Sequence, residues 1–74
     1  MVTGRLAWTA DIRRLDRERI VRGLSQRELA ALARVDPGTL SDLLAQRRRP
    51  NLGTLRALSE ALELGIADLI QFES

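Results

Sequence analysis

The stretch from Gly23 to Leu44, GLSQRELAALARVDPGTLSDLL, constrains this chain more than any other, because it marks two helix starts and the corner between them. Ser25 is followed three residues later by Glu28, a capping box in which each side chain satisfies an orphan backbone N–H at the helix start. Asp36 precedes the second start, and Pro37 takes the first helical position, where its missing N–H costs nothing. Leu29, Leu32, Ala33, Val35, Leu40, Leu43 and Leu44 recur at helical spacing and are expected to share one core.

Two capped helices with about three to four residues between them match the helix-turn-helix arrangement, whose second helix enters the DNA major groove. The flanking sequence extends the helical reading. A first helix is expected over 11–22, with Ile12, Leu15 and one or both of Ile20 and Val21 facing inward, closed by Gly23. The second and third follow at 26–33 and 37–45. The loop Gln46 to Asn51, QRRRPN, carries three consecutive arginines and a helix-stopping Pro50. Asn51 caps a fourth helix at 52–62 with Leu55, Leu58 and Leu62 on one face, and a fifth is expected at 66–71. Residues 1–10 carry little pattern and read as an N-terminal extension to a domain at 11–72, with Trp8 anchoring the first helix to the core.

Composition narrows the function classes. Seventy-four residues suffice for one small domain with a thin stability margin. Without Cys or His there is no thiolate metal site and no histidine base, and with no nucleophile–base pair in view neither an enzyme nor a cofactor or metal is expected. No apolar run approaches the ~20 residues of a membrane span, and the first residues do not resemble a signal peptide, so a cytoplasmic protein is expected. All twelve basic residues are arginines lying at or before Arg56, against six acids there, a balance of +6; from Ala57 onward there are four acids and no base. A basic body with an acidic end suits a polyanion held by one face.

Four segments together resemble the Xre/Cro-type helix-turn-helix family, the DNA-binding domains of lambdoid phage repressors and many bacterial regulators. They are Arg19-x-x-x-GLSQ-x-ELA, Val35-Asp-x-x-Thr-Leu-Ser41, the RRRP of Arg47 to Pro50, and Leu55-x-x-Leu-Ser-Glu-Ala-Leu62. The resemblance implies an all-α, five-helix, lambda-repressor-like DNA-binding domain and a sequence-specific transcriptional regulator, repressor rather than activator. It implies a phosphate contact for Gln26, base reading by Pro37, Gly38, Ser41 and Asp42 with Thr39 at the edge, and phosphate contacts from Gln46, Arg47, Arg48 and Arg49.

The chain also departs from the family. Pro37 and Gly38 stand where relatives often carry long polar side chains, so specificity leans on few base contacts and on DNA shape. Leu44 replaces a glutamate that pairs with the first-helix arginine in some phage repressors, leaving Arg19 to find another partner or a phosphate. Glu63 stands where a helix-ending glycine is common, and Gly65 where a serine cap is common. Asp42 has two readings, acceptor from a cytosine amino group or partner of Arg47 or Arg19, and the residues alone leave both open. The chain ends shortly after the fifth helix, so double-stranded DNA is expected to be bound by a weak homodimer whose seam uses Leu69, Ile70 or Phe72. The competing reading is an antitoxin-like interaction module that keeps the fold and holds a protein partner, a toxin or a polymerase, with its apolar end.

Overall fold

The computed structural model describes residues 7–73. In chain order these form β1 (Ala7–Ala10), α1 (Ile12–Val21), α2 (Gln26–Ala33), α3 (Pro37–Leu44), α4 (Leu52–Ala61), a one-turn 3-10 helix (Ile66–Leu69) and β2 (Ile70–Glu73). The helix starts are where their chemistry puts them. Ser25 and Glu28 exchange both capping bonds, at 3.0 and 2.8 Å. Asp36 accepts from the Thr39 N–H at 3.0 Å and Asn51 from the Thr54 N–H at 2.7 Å. Asp11 caps α1 by accepting from the Arg14 N–H at 3.0 Å.

The helix ends are less conventional. Gly23 (φ +70°) closes α1 in the left-handed conformation that glycine adopts without steric cost. The chain then repeats that device without glycine, because Arg34, Gln46 and Glu63 follow α2, α3 and α4 at φ of 58°, 58° and 59°. A side chain in that region costs ~1–2 kcal/mol, so three such ends draw on the stability of a small domain.

The core is almost entirely leucine. Leu15, Leu29, Leu40, Leu43, Leu55, Leu58, Leu62 and Leu69 are fully buried, with Ala30 and Ala33 between them. Buried Ser59 is satisfied by its own helix, its hydroxyl donating to the Arg56 carbonyl at 2.8 Å. Leu32, expected inside, lies outside (60% exposed), and of Ile20 and Val21, one or both of which are expected inside, neither is (60% and 69% exposed). The phase of each helix explains them. On α1 the inward line runs through Ile12, Leu15 and Arg19, and the arginine takes the last inner place by donating to the Leu24 carbonyl at 2.6 Å and to Asp16 at 2.9 Å. Those contacts are how Arg19 does without a glutamate on α3. On α2, Leu29, Ala30 and Ala33 fill the inner face and turn Leu32 to solvent.

The larger corrections are at the ends. The described residues form a four-helix unit, and the expected fifth helix is one 3-10 turn that opens into β2. β2 pairs antiparallel with β1 in the register Ala7↔Glu73, Trp8↔Phe72, Thr9↔Gln71, Ala10↔Ile70. Ala7–Ala10 therefore belongs to the folded unit and is not an extension. The Asp11 N–H continues this ladder by donating to the Leu69 carbonyl at 2.8 Å, tying the start of α1 to the end of the chain. Half-buried Trp8 packs on the core from β1. Leu69 is wholly enclosed within the single chain, so it has no surface to offer a seam, and only Ile70 and Phe72 of that expectation remain accessible. Among the described residues no helix is long and apolar enough to cross a membrane.

Candidate nucleic-acid interface

α3 is short, and its outward side is built from small groups. Pro37 and Gly38 open it exposed, while Thr39, Ser41 and Asp42 are half-buried along its flank. A Cβ at position 38 would stand 3.0 Å from Asp36 Oδ2, the oxygen that caps the helix. A larger residue there would require that carboxylate to shift by a few tenths of an ångström. Gln26 is exposed at the first position of α2, beside the backbone N–H groups of that helix start. The Glu28 carboxyl is held below its ordinary value of 4.5, first by the Ser25 backbone N–H and then by the Ser25 hydroxyl. The cap therefore stays ionised at neutral pH.

The arginine loop folds back on α3. The left-handed turn at Gln46 follows the last turn of the helix and reverses the chain, and the Arg47 N–H donates to the Asp42 carbonyl at 2.9 Å. Arg47 then places its guanidinium on the Asp42 carboxylate at 3.2 Å. Arg48 donates to the Thr39 hydroxyl at 3.1 Å, and Arg49 reaches the Trp8 carbonyl on β1 at 3.4 Å. All three guanidinium groups are exposed, so a band of positive charge lies along one side of α3. Of the two readings of Asp42, the structure contains the pairing with Arg47, while Arg19 is engaged elsewhere.

Most of the expected site is thus assembled in one place. Thr39, Asp42, Gln46, Arg47, Arg48 and Arg49 are brought together through the loop, with Pro37, Gly38 and Ser41 on the same helix. Two neighbours were not foreseen. The start of α4 sits beside the loop, since Thr39, Arg48, Arg49, Asn51 and Thr54 line one shallow crevice. β1 forms the other wall, with Trp8, Thr9 and Ala10 facing Gln46, Arg48 and Arg49. The QRRRPN segment hinted at the first, because Asn51 follows the arginines directly. Nothing local hinted at the second, since β1 is some forty residues from the loop. Among the described residues no group of three or more His, Cys, Asp or Glu is placed to hold a metal ion.

Comparison with known proteins agrees with this geometry. A helix-turn-helix family model matches residues 15–69, from the buried leucine of α1 to the end of the 3-10 turn. The chain belongs to the Xre-like helix-turn-helix family. As a member it is a DNA-binding transcriptional regulator. Among solved structures, the restriction-modification controller protein C.AhdI from Aeromonas hydrophila superposes with a TM-score of 0.74 at 28% identity, over 77% of this chain and 86% of that one. The clp gene regulator ClgR from Corynebacterium glutamicum superposes with a TM-score of 0.72 at 35% identity, over 77% of this chain and 61% of that one. A second ClgR structure gives 0.70 at the same identity, over 74% of its length. No curated protein sequence matches the chain significantly.

Proposed function

We propose that this Xre-like protein represses transcription by seating α3 in the DNA major groove, with two copies on a two-fold symmetric operator. Pro37, Gly38, Ser41 and Thr39 lie against base edges, where their small size allows close backbone approach and rewards DNA shape more than hydrogen-bonding pattern. Gln26 at the start of α2 and Arg48 and Arg49 beyond α3 grip phosphates on either side of the groove. Arg47 is shared between the backbone and Asp42. The observation that carries this reading is the folding of the arginine loop onto α3. It sets three exposed cations beside a helix face with no bulky side chain to hold it off the bases.

A single helix of this length reads only a few base pairs, so the useful site is expected to come from pairing. Selection from random duplex DNA should enrich a palindrome with half-site centres about 34–36 Å apart, one helical turn. Sedimentation should then give two proteins per duplex. Enrichment of no sequence, or one protein per duplex on an asymmetric site at saturation, would refute the proposal.

A further inference from the structure

Pairing needs a seam, and β2 offers one whose geometry follows from its ladder with β1. Bonded and non-bonded pairs alternate along an antiparallel ladder. The Asp11 N–H donates to the Leu69 carbonyl, so Asp11–Leu69 and Thr9–Gln71 are the bonded pairs. Ile70 and Phe72 then turn their N–H and C=O groups away from β1. Trp8 fits this phase, because its carbonyl is also turned outward, where Arg49 meets it. The outer side of β1 thus faces the arginine loop. Among the described residues no element packs along the outer side of β2. Among the described residues no group bonds to the backbone of Ile70 or Phe72.

Natural edge strands are guarded by proline, a bulge, charge or short length. Ile70–Glu73 (IQFE) has no proline or bulge, and its guards are its four-residue length and Glu73 at its end, which leave the Ile70–Phe72 stretch uncharged. Phe72 is 65% exposed on it, at the lip of a mostly apolar groove formed with Trp8, Leu52, Ile66 and Ile70 and bordered by Arg56. We infer that the β2 edge is the homodimer seam, two copies joining β2 to β2 antiparallel about a two-fold axis at Gln71 to make one four-stranded sheet. This rests on the pairing reading above and specifies where the pairing occurs.

The register is set by the edge itself. Only residues with outward backbone groups can form bonded pairs, and the symmetric way to match them is Ile70 with Phe72 of the second copy, twice. That register yields four backbone hydrogen bonds. It sets Ile70 against the partner Phe72 on the groove side and Gln71 against the partner Gln71 on the polar side. A second copy fits this edge because the self-pairing sets apolar against apolar and amide against amide, with no like charges opposed at its centre. The seam is small, so the dimer is weak in solution and is completed on DNA.

Two variants test it, using sedimentation with and without the selected duplex. Phe72→Pro removes an N–H that the β1–β2 ladder does not use, and proline is tolerated on an edge strand. It should keep the helical circular dichroism, and weaken self-association at least about ten-fold through the loss of two of the four bonds together with the Phe72 side-chain contact. Gln71→Cys probes the register. The chain has no cysteine, so any disulfide joins position 71 to position 71. Non-bonded antiparallel pairs hold their Cα atoms about 4.5 Å apart, within disulfide reach. Mild oxidation should cross-link it rapidly, while Glu60→Cys on α4 and Gln71→Cys in the Phe72→Pro background should cross-link slowly. A dimer that survives Phe72→Pro, or equal cross-linking at 60 and 71, overturns the seam and leaves pairing intact. A chain monomeric at every concentration, with and without DNA, overturns both.

Discussion

Replacing Asp42 by alanine tests the electrostatics of the interface at its one ambiguous residue. Asp42 holds Arg47 at 3.2 Å, and both groups are accessible to water, so the pair contributes no more than about 1 kcal/mol to folding. Alanine recovers some of that through helix propensity, ~0.5 kcal/mol, so the melting temperature should move by less than about 3 °C. DNA binding should respond more. The substitution takes one negative charge off the DNA-facing side and frees Arg47 for a phosphate, which steepens the dependence of log K on log salt by about 0.9. Between 50 and 200 mM salt, that slope makes the variant lose about three- to four-fold more affinity than the wild type. Fluorescence anisotropy on a random duplex and on the selected operator, across that salt range, reads both quantities. The variant should bind the random duplex more tightly at low salt, with the steeper slope on both duplexes. If Asp42 instead accepts from a cytosine, the operator alone should weaken, by ~1–3 kcal/mol, with the slope unchanged. That outcome would refute the pairing account.

Leu40→Ala should cost ~2–5 kcal/mol, since the side chain is fully buried and a domain this size has only about 4–11 kcal/mol in all; a melting temperature within about 3 °C of wild type would place Leu40 outside the core. Glu63→Gly should stabilise by ~0.5–1 kcal/mol, raising the melting temperature by about 2–8 °C, because Glu63 holds a left-handed conformation that glycine adopts freely; no rise would mean the strain is absent. Acid should destabilise the fold through two carboxyls. Glu18 is held below its ordinary value of 4.5 first by Arg22 and then by Arg14, and Glu28 by Ser25. A lowered folded-state value means the stabilisation is present above 4.5 and lost as pH falls through the depressed values. Urea midpoints from pH 7 to 2 should therefore drop below about pH 4.5, and less steeply in a Glu18→Gln, Glu28→Gln double variant; equal slopes would show that other groups carry the effect.

What was legible in the sequence is local, and what was not is long-range. Ser25, Glu28, Asp36, Pro37 and Asn51 act on backbone groups within three residues, so the starts of α2, α3 and α4 follow from the residue string. The core leucines follow from helical period, except where a polar residue competes for the inner line. Arg19 displaces Ile20 and Val21 by finding the part-buried Leu24 carbonyl, which no hydropathy pattern records. β1 and β2 escaped because each is four residues long and their pairing joins opposite ends of the chain. Alternation of Ile70, Gln71, Phe72 and Glu73 was visible, but so short a run is equally consistent with one helical turn. The site divides the same way. Arg47 to Arg49 were placed beside α3 by the resemblance and by sequence order, whereas the engagement of Arg47 with Asp42, of Arg48 with Thr39 and of Arg49 with β1 depends on the left-handed turn at Gln46.

The central claim is that the arginine loop clamps the DNA backbone while α3 occupies the groove. Its most direct test is the salt dependence of duplex binding by the wild type and by an Arg47→Ala, Arg48→Ala, Arg49→Ala variant. Arg48 and Arg49 have no carboxylate partner among the described residues, and Arg47 is shared with Asp42, so the slope of log K against log salt should flatten by about 2 to 3. Affinity should fall alike for operator and random duplex, with the fold unchanged by circular dichroism. A variant that retains wild-type affinity and wild-type slope would contradict the account.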